Sequence, residues 1–518
     1  MNLSTLLYMN ANKYPDKEAL VFGEQRFTYK QWHEQADHLA GHLQQKGITR
    51  GDKVVLMMPN VPDFAILYLA IVRAGGVAVP INTRFSVEEV AYILEDCQAK
   101  GMIVHEQLYP SVAPLSKRLP SCLYVKTGQA EQAWEGLEDW KASCVAGEGP
   151  WFDPNALTEE DEVDILYTSG TTGRPKGVRF SHRNVLTVGT MIAVEFSVNE
   201  DSRLLHMMPL SHSAPLHLMF GAGFIVGAAH VFHPTFTSAD FLRLAERERI
   251  THFFGAPVAY LLSMQAPTFE QTDLSSAKYW IYGGASLSKT QADAIANRFG
   301  REKLACVYGL TEAGPSGTLL FHQRDYHKSG SIGKRGALFT EIEVVDERGQ
   351  RCHVGQVGEI RLRGEGTMLG YLNRPQETAQ TVRDGWVYSG DLAYRDEEGF
   401  FWIVDRKKDV IISGGVNVYP KEVEDVLVTH PEIREVAVVG VPHDVWGETV
   451  KACLVPEPGT PTRELATWVH DIRHFLQGKI AEYKMPRVVA LFDELPRNAS
   501  GKILKQRLKE AVTVEGKR

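Results

Sequence analysis

Strand and helix signals alternate near the start of the chain, and this order constrains the fold more than any other feature. Short apolar segments typical of strands occupy residues 53–58, 77–80 and 101–105. Apolar residues at helical spacing fill 62–73 between the first two segments, and Ser86 caps a second helix before the third. Strands that alternate with helices indicate a largely parallel sheet. We therefore predict an α/β fold with a large, layered N-terminal region.

The sequence changes character near Asp405. The charged, glycine-containing stretch DRKKDVIISGG separates a long front region from a shorter remainder. In that remainder Pro420 stands where the first turn of a helix begins, and strand and helix signals follow it. This pattern predicts a small α+β domain, and its mobility is implied only by the resemblance described below. We place the large N-terminal domain at 1–405 and the small C-terminal domain at 406–518.

The composition disfavours several classes of protein. The net charge of the 518-residue chain is −8 and no long basic run occurs, so we do not expect nucleic-acid binding. The six cysteines are scattered without a C-x-x-C pair, which is typical of reduced thiols in a cytoplasmic protein. The first residues lack the basic start and long apolar run of a signal peptide.

An apolar stretch rich in small residues covers 216–232. It is shorter than the ~20 residues that span a bilayer, and His217 and His230 interrupt it. We therefore predict a buried helix and no transmembrane segment. A second interpretation is that the small residues leave open volume along an apolar substrate channel.

The string YTSGTTGRPKG over 167–177 combines hydroxyl side chains, glycines and a lysine after a strand-like segment. Glycines let backbone N–H groups turn inward, hydroxyls add donors, and Lys176 adds positive charge, so such a loop can wrap a polyphosphate. A flexible surface turn is the alternative interpretation. The string is not the P-loop of nucleoside triphosphatases, because Arg174 and Pro175 separate Gly173 from Lys176.

The loop resembles the signature loop of the adenylate-forming superfamily, which includes acyl-CoA synthetases, luciferases and the adenylation domains of peptide synthetases. Further motifs of that superfamily follow in its order: GGA at 283–285, YGLTE at 308–312, YSGD at 388–391 and PRNASGK at 496–502. The resemblance covers nearly the whole chain. It implies an enzyme that uses ATP to activate a carboxylic acid as an acyl-adenylate and then transfers the acyl group to coenzyme A.

By this resemblance, Tyr308 stacks on adenine, Thr311 contacts the α-phosphate and Glu312 helps to hold Mg²⁺. Asp391 accepts hydrogen bonds from the ribose hydroxyls, and Arg406 adds a donor. The residues that the resemblance assigns to ATP and AMP are Thr168, Ser169, Gly170, Thr171, Thr172, Gly173, Lys176, Gly283, Gly284, Ala285, Tyr308, Gly309, Asp391 and Arg406.

The resemblance also assigns residues to the acid and to each half-reaction. Lys502 bridges the carboxylate and the α-phosphate during adenylation, and His212 lies beside the carboxylate and the route of the thiol. A packed core histidine is the alternative interpretation of His212. Lys408 occupies the hinge position of enzymes whose small domain rotates between the two steps.

The coenzyme A step involves a separate set of residues by the same resemblance. The turn that contains Gly414 and Gly415 enters the active site in the second state, where the missing side chains let pantetheine pass. Trp446 matches an aromatic residue near the coenzyme A nucleotide.

The acid is less well defined than the reaction. The strings DRKKDVIISGGVNVYPKEVE and LPRNASGKILK are most similar to bacterial medium- and long-chain fatty-acyl-CoA synthetases, but aryl-CoA ligases of the coumarate or benzoate type carry them with small changes. Ser211 replaces the commoner aromatic residue before His212, which leaves the shape of the acid gate undefined. We predict a fatty acid, with an aryl acid as the alternative. A luciferase-like oxygenase, an acyl-AMP ligase without coenzyme A activity, a homodimer and peripheral membrane contact stay open.

Overall fold

The computed structural model describes residues 1–143, 153, 156–168, 174–285, 287–497 and 503–510. The chain forms two compact units, one from 1–343 with 361–388 and the other from 344–360 with 389 onward. The predicted domain boundary at 405/406 stays a prediction.

The first unit contains a mixed sheet whose central strands are parallel. An antiparallel strand closes each edge. In spatial order, its strands are Gly317–Phe321, Leu304–Gly309, Tyr279–Gly283, His252–Gly255, Arg203–His206, Ala229–Phe232, Glu18–Phe22 and Gln25–Thr28.

A second sheet of the same unit is parallel from Val77–Pro80 outward and antiparallel at its other end. In spatial order, its strands are Gly370–Tyr371, Lys176–Ser181, Glu162–Thr168, Val77–Pro80, Lys53–Met57, Gly101–Val104, Leu123–Lys126 and Glu135–Gly136. The predicted α/β fold with parallel strands is confirmed.

Local sequence signals explain where several helices begin. Ser86 accepts from the backbone N–H of Glu89, whose side chain accepts in return, which is a capping box. The helix Pro62–Arg73 is buried around nearly its whole circumference, as expected for a helix that is apolar on all sides. The helices of the first unit are Leu3–Lys13, Tyr29–Gln45, Pro62–Arg73, Val87–Asp96, Tyr109–Val112, Leu115–Arg118, Leu137–Ala142, His182–Glu195, Ala214–Phe220, Gly221–Val226, Ser238–Arg247, Pro257–Met264, Lys289–Phe299, His322–Asp325 and Pro375–Thr381.

The prediction of one helix over 216–232 is wrong in its extent. A π-helix, Ala214–Phe220, continues into the α-helix Gly221–Val226, and the chain then enters the strand Ala229–Phe232. Gly227 adopts a left-handed φ of +77° and ends the helix, which glycine does without steric cost.

The small residues of this helix allow close packing. A Cβ on Gly223 would lie 2.8 Å from Cε1 of His230, and one on Gly189 of the neighbouring helix would lie 2.9 Å from the carbonyl carbon of Gly221. These positions are therefore filled by neighbouring atoms and do not leave open volume. Within the described residues, no helix is both long and apolar enough to cross a bilayer.

The second unit is built on its own sheet. In spatial order, its strands are Val416–Val418, Ile411–Ser413, Gly447–Pro456 and Ile433–His443, with Val488–Leu491 paired to Gly447–Pro456. The helices are Pro420–Leu427, Leu465–Leu476 and Lys505–Glu510. The helix Leu465–Leu476 buries Trp468, Ile472 and Leu476 in the core of this unit.

Candidate active site

Several predicted site segments in the first unit follow the carboxyl end of a strand. Thr168 and Gly309 are the last residues of their strands, Gly284 follows the strand that ends at Gly283, and His212 follows the strand that ends at His206. In open α/β sheets, ligands bind in the crevice outside the carboxyl ends of the strands. The fold therefore explains why separate motifs can serve one site.

Lys176 begins a strand and is held by side chains from a distant segment. Its strand pairs with Gly370–Tyr371. The ammonium contacts the carboxylate of Glu377 and lies 5.2 Å from the ring centroid of Tyr371. The hydrogen bond from Lys176 keeps the pKa of the Glu377 carboxyl below its usual value. A largely buried cation is thus fixed beside the end of the strand that leads into the predicted phosphate loop.

Tyr371 connects this cation to the predicted metal ligand. Its hydroxyl donates to Oε1 of Glu312 at 2.7 Å, and the backbone N–H of Met368 donates to the carbonyl of Glu312 at 3.0 Å. Burial, reinforced by the Glu312 carboxylate, raises the pKa of Tyr371, so the hydroxyl keeps its proton and acts as a donor. Lys176 and Glu312 therefore share one neighbourhood, with Tyr371 between them.

Sequence reasoning missed both Tyr371 and Glu377. They lie in the string GYLNRPQET at 370–378, which contains a Gly-Tyr pair and an acidic residue in the first turn of a helix. Nothing local in that string tells this tyrosine from a packed one. The pairing of Tyr371 with Val178 across the sheet brings it to the site.

Residues 209–213, which we call the His212 turn, meet Thr311 through Ser213, which precedes Thr311 by 98 residues. The hydroxyls of Ser213 and Thr311 are 2.8 Å apart. Nδ2 of Asn82 lies 3.3 Å from Nε2 of His212. Because an amide nitrogen can only donate, this contact requires a neutral imidazole with its proton on Nδ1. Burial lowers the pKa of His212, which agrees with the neutral ring.

The glycine-rich turn and the Tyr308 segment lie on neighbouring strands, because Gly283 pairs with Val307. A Cβ on Gly283 would lie 2.6 Å from the carbonyl oxygen of Val307, so only glycine fits there. Gly284 has a φ of +79°, and both Gly284 and Ala285 are exposed. Tyr308 is half-buried beside them. This edge presents backbone groups and one aromatic ring, which suits a flat base.

The second unit brings Asp391 and Arg406 together. Asp391 lies on the strand Trp386–Arg395 and pairs directly with Arg406 of the antiparallel strand Phe401–Arg406. Nε of Arg406 lies 2.8 Å from Oδ1 of Asp391. Asp391 is largely buried and Arg406 partly exposed. Lys408 follows on the exposed 3₁₀ turn Lys407–Asp409.

The residues assigned to the coenzyme A step also meet within the second unit. Gly414 and Gly415 form the turn of a hairpin, with φ of +60° and +80°. The N–H of Gly414 donates to the carbonyl of Trp446 at 2.8 Å. A Cβ on Gly414 would lie 2.8 Å from Cε3 of the Trp446 ring, and Arg487 lies 5.1 Å from that ring. The turn therefore needs glycine both for its backbone angles and for its contact with the half-exposed indole.

Some predicted site residues lie outside the described residues. They are Ser169, Gly170, Thr171, Thr172, Gly173 and Lys502. The residues on either side of the predicted phosphate loop are described, and Thr168 pairs with Lys176 across an antiparallel ladder.

Residues 7–372 match the AMP-binding enzyme family, and residues 422–502 match the C-terminal domain of AMP-binding enzymes. The chain belongs to the AMP-binding enzyme family. The predicted membership of the adenylate-forming superfamily, and with it an AMP-forming acyl-CoA synthetase, is confirmed.

Relatives in this family span nearly the whole chain. A long-chain-fatty-acid–CoA ligase of Bacillus subtilis is 34% identical over 99% of this chain and 94% of its own length. A feruloyl-CoA synthase of an Amycolatopsis species is 35% identical over 96% of both chains. The crystal structure of ATP-bound MatB from Rhodopseudomonas palustris has a TM-score of 0.87 and 29% identity, and the match covers 98% of this chain and 99% of MatB.

Proposed function

We propose that this AMP-binding enzyme joins a medium- or long-chain fatty acid to coenzyme A through an acyl-adenylate. The chain of contacts from Lys176 through Tyr371 to Glu312 carries the proposal, because it holds a cation and an oriented carboxylate at the strand ends. The likeness to a long-chain-fatty-acid–CoA ligase supports a fatty acid. The likeness to a feruloyl-CoA synthase supports an aryl acid as the second candidate.

The described hydrogen-bond partners of His212 offer no cation for a second carboxylate on the acid. These partners are the amide of Asn82 and backbone groups of Pro209 and Leu216, all of them neutral. A second carboxylate on the substrate would need a cation beside it, because a buried unpaired charge is costly.

In the first half-reaction, an oxygen of the substrate carboxylate attacks the α-phosphorus of ATP, and pyrophosphate leaves with the electrons of the broken P–O bond. Such a reaction gains most from positioning and from the neutralisation of developing charge. We assign the polyphosphate to Lys176, the α-phosphate to the hydroxyl of Thr311, and the bridge between carboxylate and phosphate to Lys502. The contact of Ser213 with Thr311 fixes the hydroxyl that would donate.

Glu312 suits a magnesium ion that is shared with ATP. Mg²⁺ is usually held by one or two carboxylates together with phosphate oxygens and water. The hydroxyl of Tyr371 orients the Glu312 carboxylate, and the described residues contain no group of three His, Cys, Asp or Glu side chains that could hold a metal alone. When bound, Mg²⁺ would reduce the charge on the phosphates.

We assign the adenine and the ribose of ATP to two separate groups of residues. Tyr308 offers a ring for the adenine, and Gly283, Gly284, Ala285 and Gly309 offer backbone groups. Asp391 would accept hydrogen bonds from the ribose hydroxyls, with Arg406 as a donor beside it. The short contact between Asp391 and Arg406 supports this assignment, because it orients the carboxylate.

In the second half-reaction, the sulfur of coenzyme A attacks the carbonyl carbon of the adenylate, and AMP leaves with the carboxyl oxygen bound to its phosphate. We assign the path of pantetheine to Gly414 and Gly415, where no side chain obstructs it. Trp446 is 43% exposed and offers an apolar surface near this turn. Rotation at Lys408 would exchange the residues that serve the two steps.

Replacing Glu377 by glutamine is expected to lower the KM for ATP about two- to fivefold, because the Lys176 ammonium is then released for a phosphate oxygen. A partly exposed ion pair contributes ~0.5–1 kcal/mol, which sets this range. The measurement is the initial rate of pyrophosphate release against ATP concentration at saturating acid. Glu88→Gln is the matched control, since Glu88 forms a surface pair with Arg118 at 2.9 Å. A higher KM would mean that Glu377 orients Lys176 toward phosphate.

Pyrophosphate release over a panel of fatty, aryl and dicarboxylic acids, with and without coenzyme A, tests the proposed function. We expect acid-dependent release that is fastest with medium- or long-chain fatty acids, and thioester only when coenzyme A is present. A preference for ferulic or benzoic acids would favour the aryl-CoA ligase. Release without thioester would indicate an acyl-AMP ligase, and oxygen consumption with an oxidised product would indicate a luciferase-like enzyme.

We also propose a cytoplasmic location. The described cysteines, Cys97, Cys122, Cys306, Cys352 and Cys453, are all free thiols, which persist in reducing compartments.

A further inference from the structure

A carboxylate is fully buried inside the first unit, away from the residues assigned above. Asp164 lies in the middle of the strand Glu162–Thr168, and 0% of its surface is exposed. Its Oδ2 accepts from the hydroxyl of Tyr68 at 2.7 Å and from Nε2 of His217 at 2.8 Å. Tyr68 and His217 are buried as completely. We call Tyr68, Asp164 and His217 the buried polar cluster.

The buried polar cluster stabilises the core less than apolar residues of similar volume would. Oδ1 of Asp164 and Nδ1 of His217 are buried without a hydrogen-bond partner among the described residues. Buried polar groups that lack partners destabilise a fold, and apolar residues of similar volume often replace a buried ionic pair without loss of stability. Packing alone therefore does not explain the cluster, and its geometry offers a second explanation.

His217 belongs to the π-helix Ala214–Phe220, which begins directly after the His212 turn. π-Helices are rare, and they often occur at functional sites. Ser213, the N-cap residue of this helix, lies four positions before His217. Ser213 contacts Thr311, and His217 contacts Asp164. The segment 213–217 is thus held at Ser213 beside Thr311 and at His217 in the core.

Asp164 connects this segment to the nucleotide side of the site. It lies four residues, about 13 Å, before Thr168 on one strand. The strand is held on both sides, by Val77–Pro80 and by Lys176–Ser181. A strand held in this way is a rigid reference for the helix that contacts it.

We propose that the buried polar cluster is a positioning device for acid activation. The bond between Asp164 and His217 holds the π-helical segment at one rotation, and so places His212 and Ser213 against Asn82 and Thr311. This inference rests on the proposed function. The cluster touches no substrate, and its effect reaches the reacting groups only through the His212 turn.

The central test replaces the whole cluster by apolar residues: Tyr68→Phe, Asp164→Leu and His217→Phe in one full-length protein. We expect the thermal midpoint and the KM for ATP to stay close to wild type, whereas the KM for the acid in pyrophosphate release rises at least tenfold. A wild-type KM for the acid would overturn the proposal. An equal rise in the KM for ATP and in the KM for the acid would also overturn it, since it would indicate that the cluster only stabilises the fold.

A second set of variants keeps the proposal testable if the triple variant does not fold. His217→Gln retains a donor for Asp164 and should keep the acid KM within about threefold of wild type, whereas His217→Leu should raise it at least tenfold. His252→Leu is the matched control, because His252 is also fully buried and bonds the carbonyl of Phe196 at 2.9 Å. Equal acid KM values for His217→Gln and His217→Leu would overturn the proposal.

Coupling to Asn82 distinguishes positioning from an independent effect. If the cluster acts through the contact of Asn82 with His212, the acid KM of the double variant Asn82→Ala, His217→Leu should exceed the wild-type value by less than the product of the two single-variant factors. Fully multiplicative effects would overturn the proposed route. A wild-type enzyme that activates no acid would refute the proposed function itself, whereas an active wild type with an unaffected triple variant would refute only this inference.

Discussion

Replacing Lys502 by alanine is expected to lower acyl-adenylate formation by about a hundred- to a thousandfold, the usual loss when one donor to developing charge is removed. Thioester formation from supplied acyl-adenylate should stay near the wild-type rate. In the acyl-adenylate the carboxylate is already bonded to the α-phosphate, so no cation is needed to bring the two anions together. The measurements are acid-dependent pyrophosphate release and, separately, thioester formation from synthetic acyl-adenylate and coenzyme A.

Lys479→Ala is the control, because Lys479 is an exposed lysine of the second unit. It should leave both half-reactions unchanged. Equal losses in the two half-reactions of Lys502→Ala would contradict the division of labour between the steps. An unchanged rate of adenylation would remove Lys502 from the proposed site.

Replacing Lys408 by proline is expected to lower one half-reaction by about a hundredfold or more while the other is largely retained. The reason is that proline fixes φ near −65°, so the hinge can no longer exchange two backbone conformations. Misplacement of reacting groups by ~1 Å is enough for a loss of that size. Lys408 already lies on the 3₁₀ turn Lys407–Asp409, whose φ range includes −65°, so proline should favour the conformation described here.

Lys408→Ala is the control for the hinge, because it removes the ammonium but leaves the backbone free to turn. It should support both half-reactions at nearly the wild-type rate. ATP binding should be similar in both variants. It is measured as the rise in the thermal midpoint when nucleotide is added. If Lys408→Pro keeps both half-reactions near the wild-type rate, rotation at this residue is not required.

Local chemistry determined much of what could be predicted. Ser86 with Glu89 begins one helix, Pro62 and Pro420 begin two others, and paired glycines turn the chain at 414–415. Each of these signals acts between residues that are near neighbours in the chain, so its effect is visible without a fold. The order of the motifs, from the phosphate loop to the lysine near the end, is likewise a property of the sequence and was sufficient to identify the family.

The helix predicted over 216–232 marks where local chemistry stops being sufficient. Apolar and small residues fill this stretch apart from His217 and His230, and such a pattern cannot tell a buried helix from a helix that is followed by a buried strand. Gly227 ends the helix, and Ala229–Phe232 then pairs in register with Arg203–His206 and with Glu18–Phe22. These partners are distant in sequence, so their pairing decided the structure of the segment.

The sequence by itself determined the fold class, the family and the residue types that could bind ATP. Only the tertiary structure decided which side chains hold those residues in position. Tyr371 reaches Glu312 across 59 residues, Ser213 reaches Thr311 across 98, and His217 reaches Asp164 across 53. Contacts of this kind depend on which strands are neighbours and in what register. The order and register of the strands are set by the burial of apolar residues from the whole core, so they cannot be predicted from any short stretch of sequence.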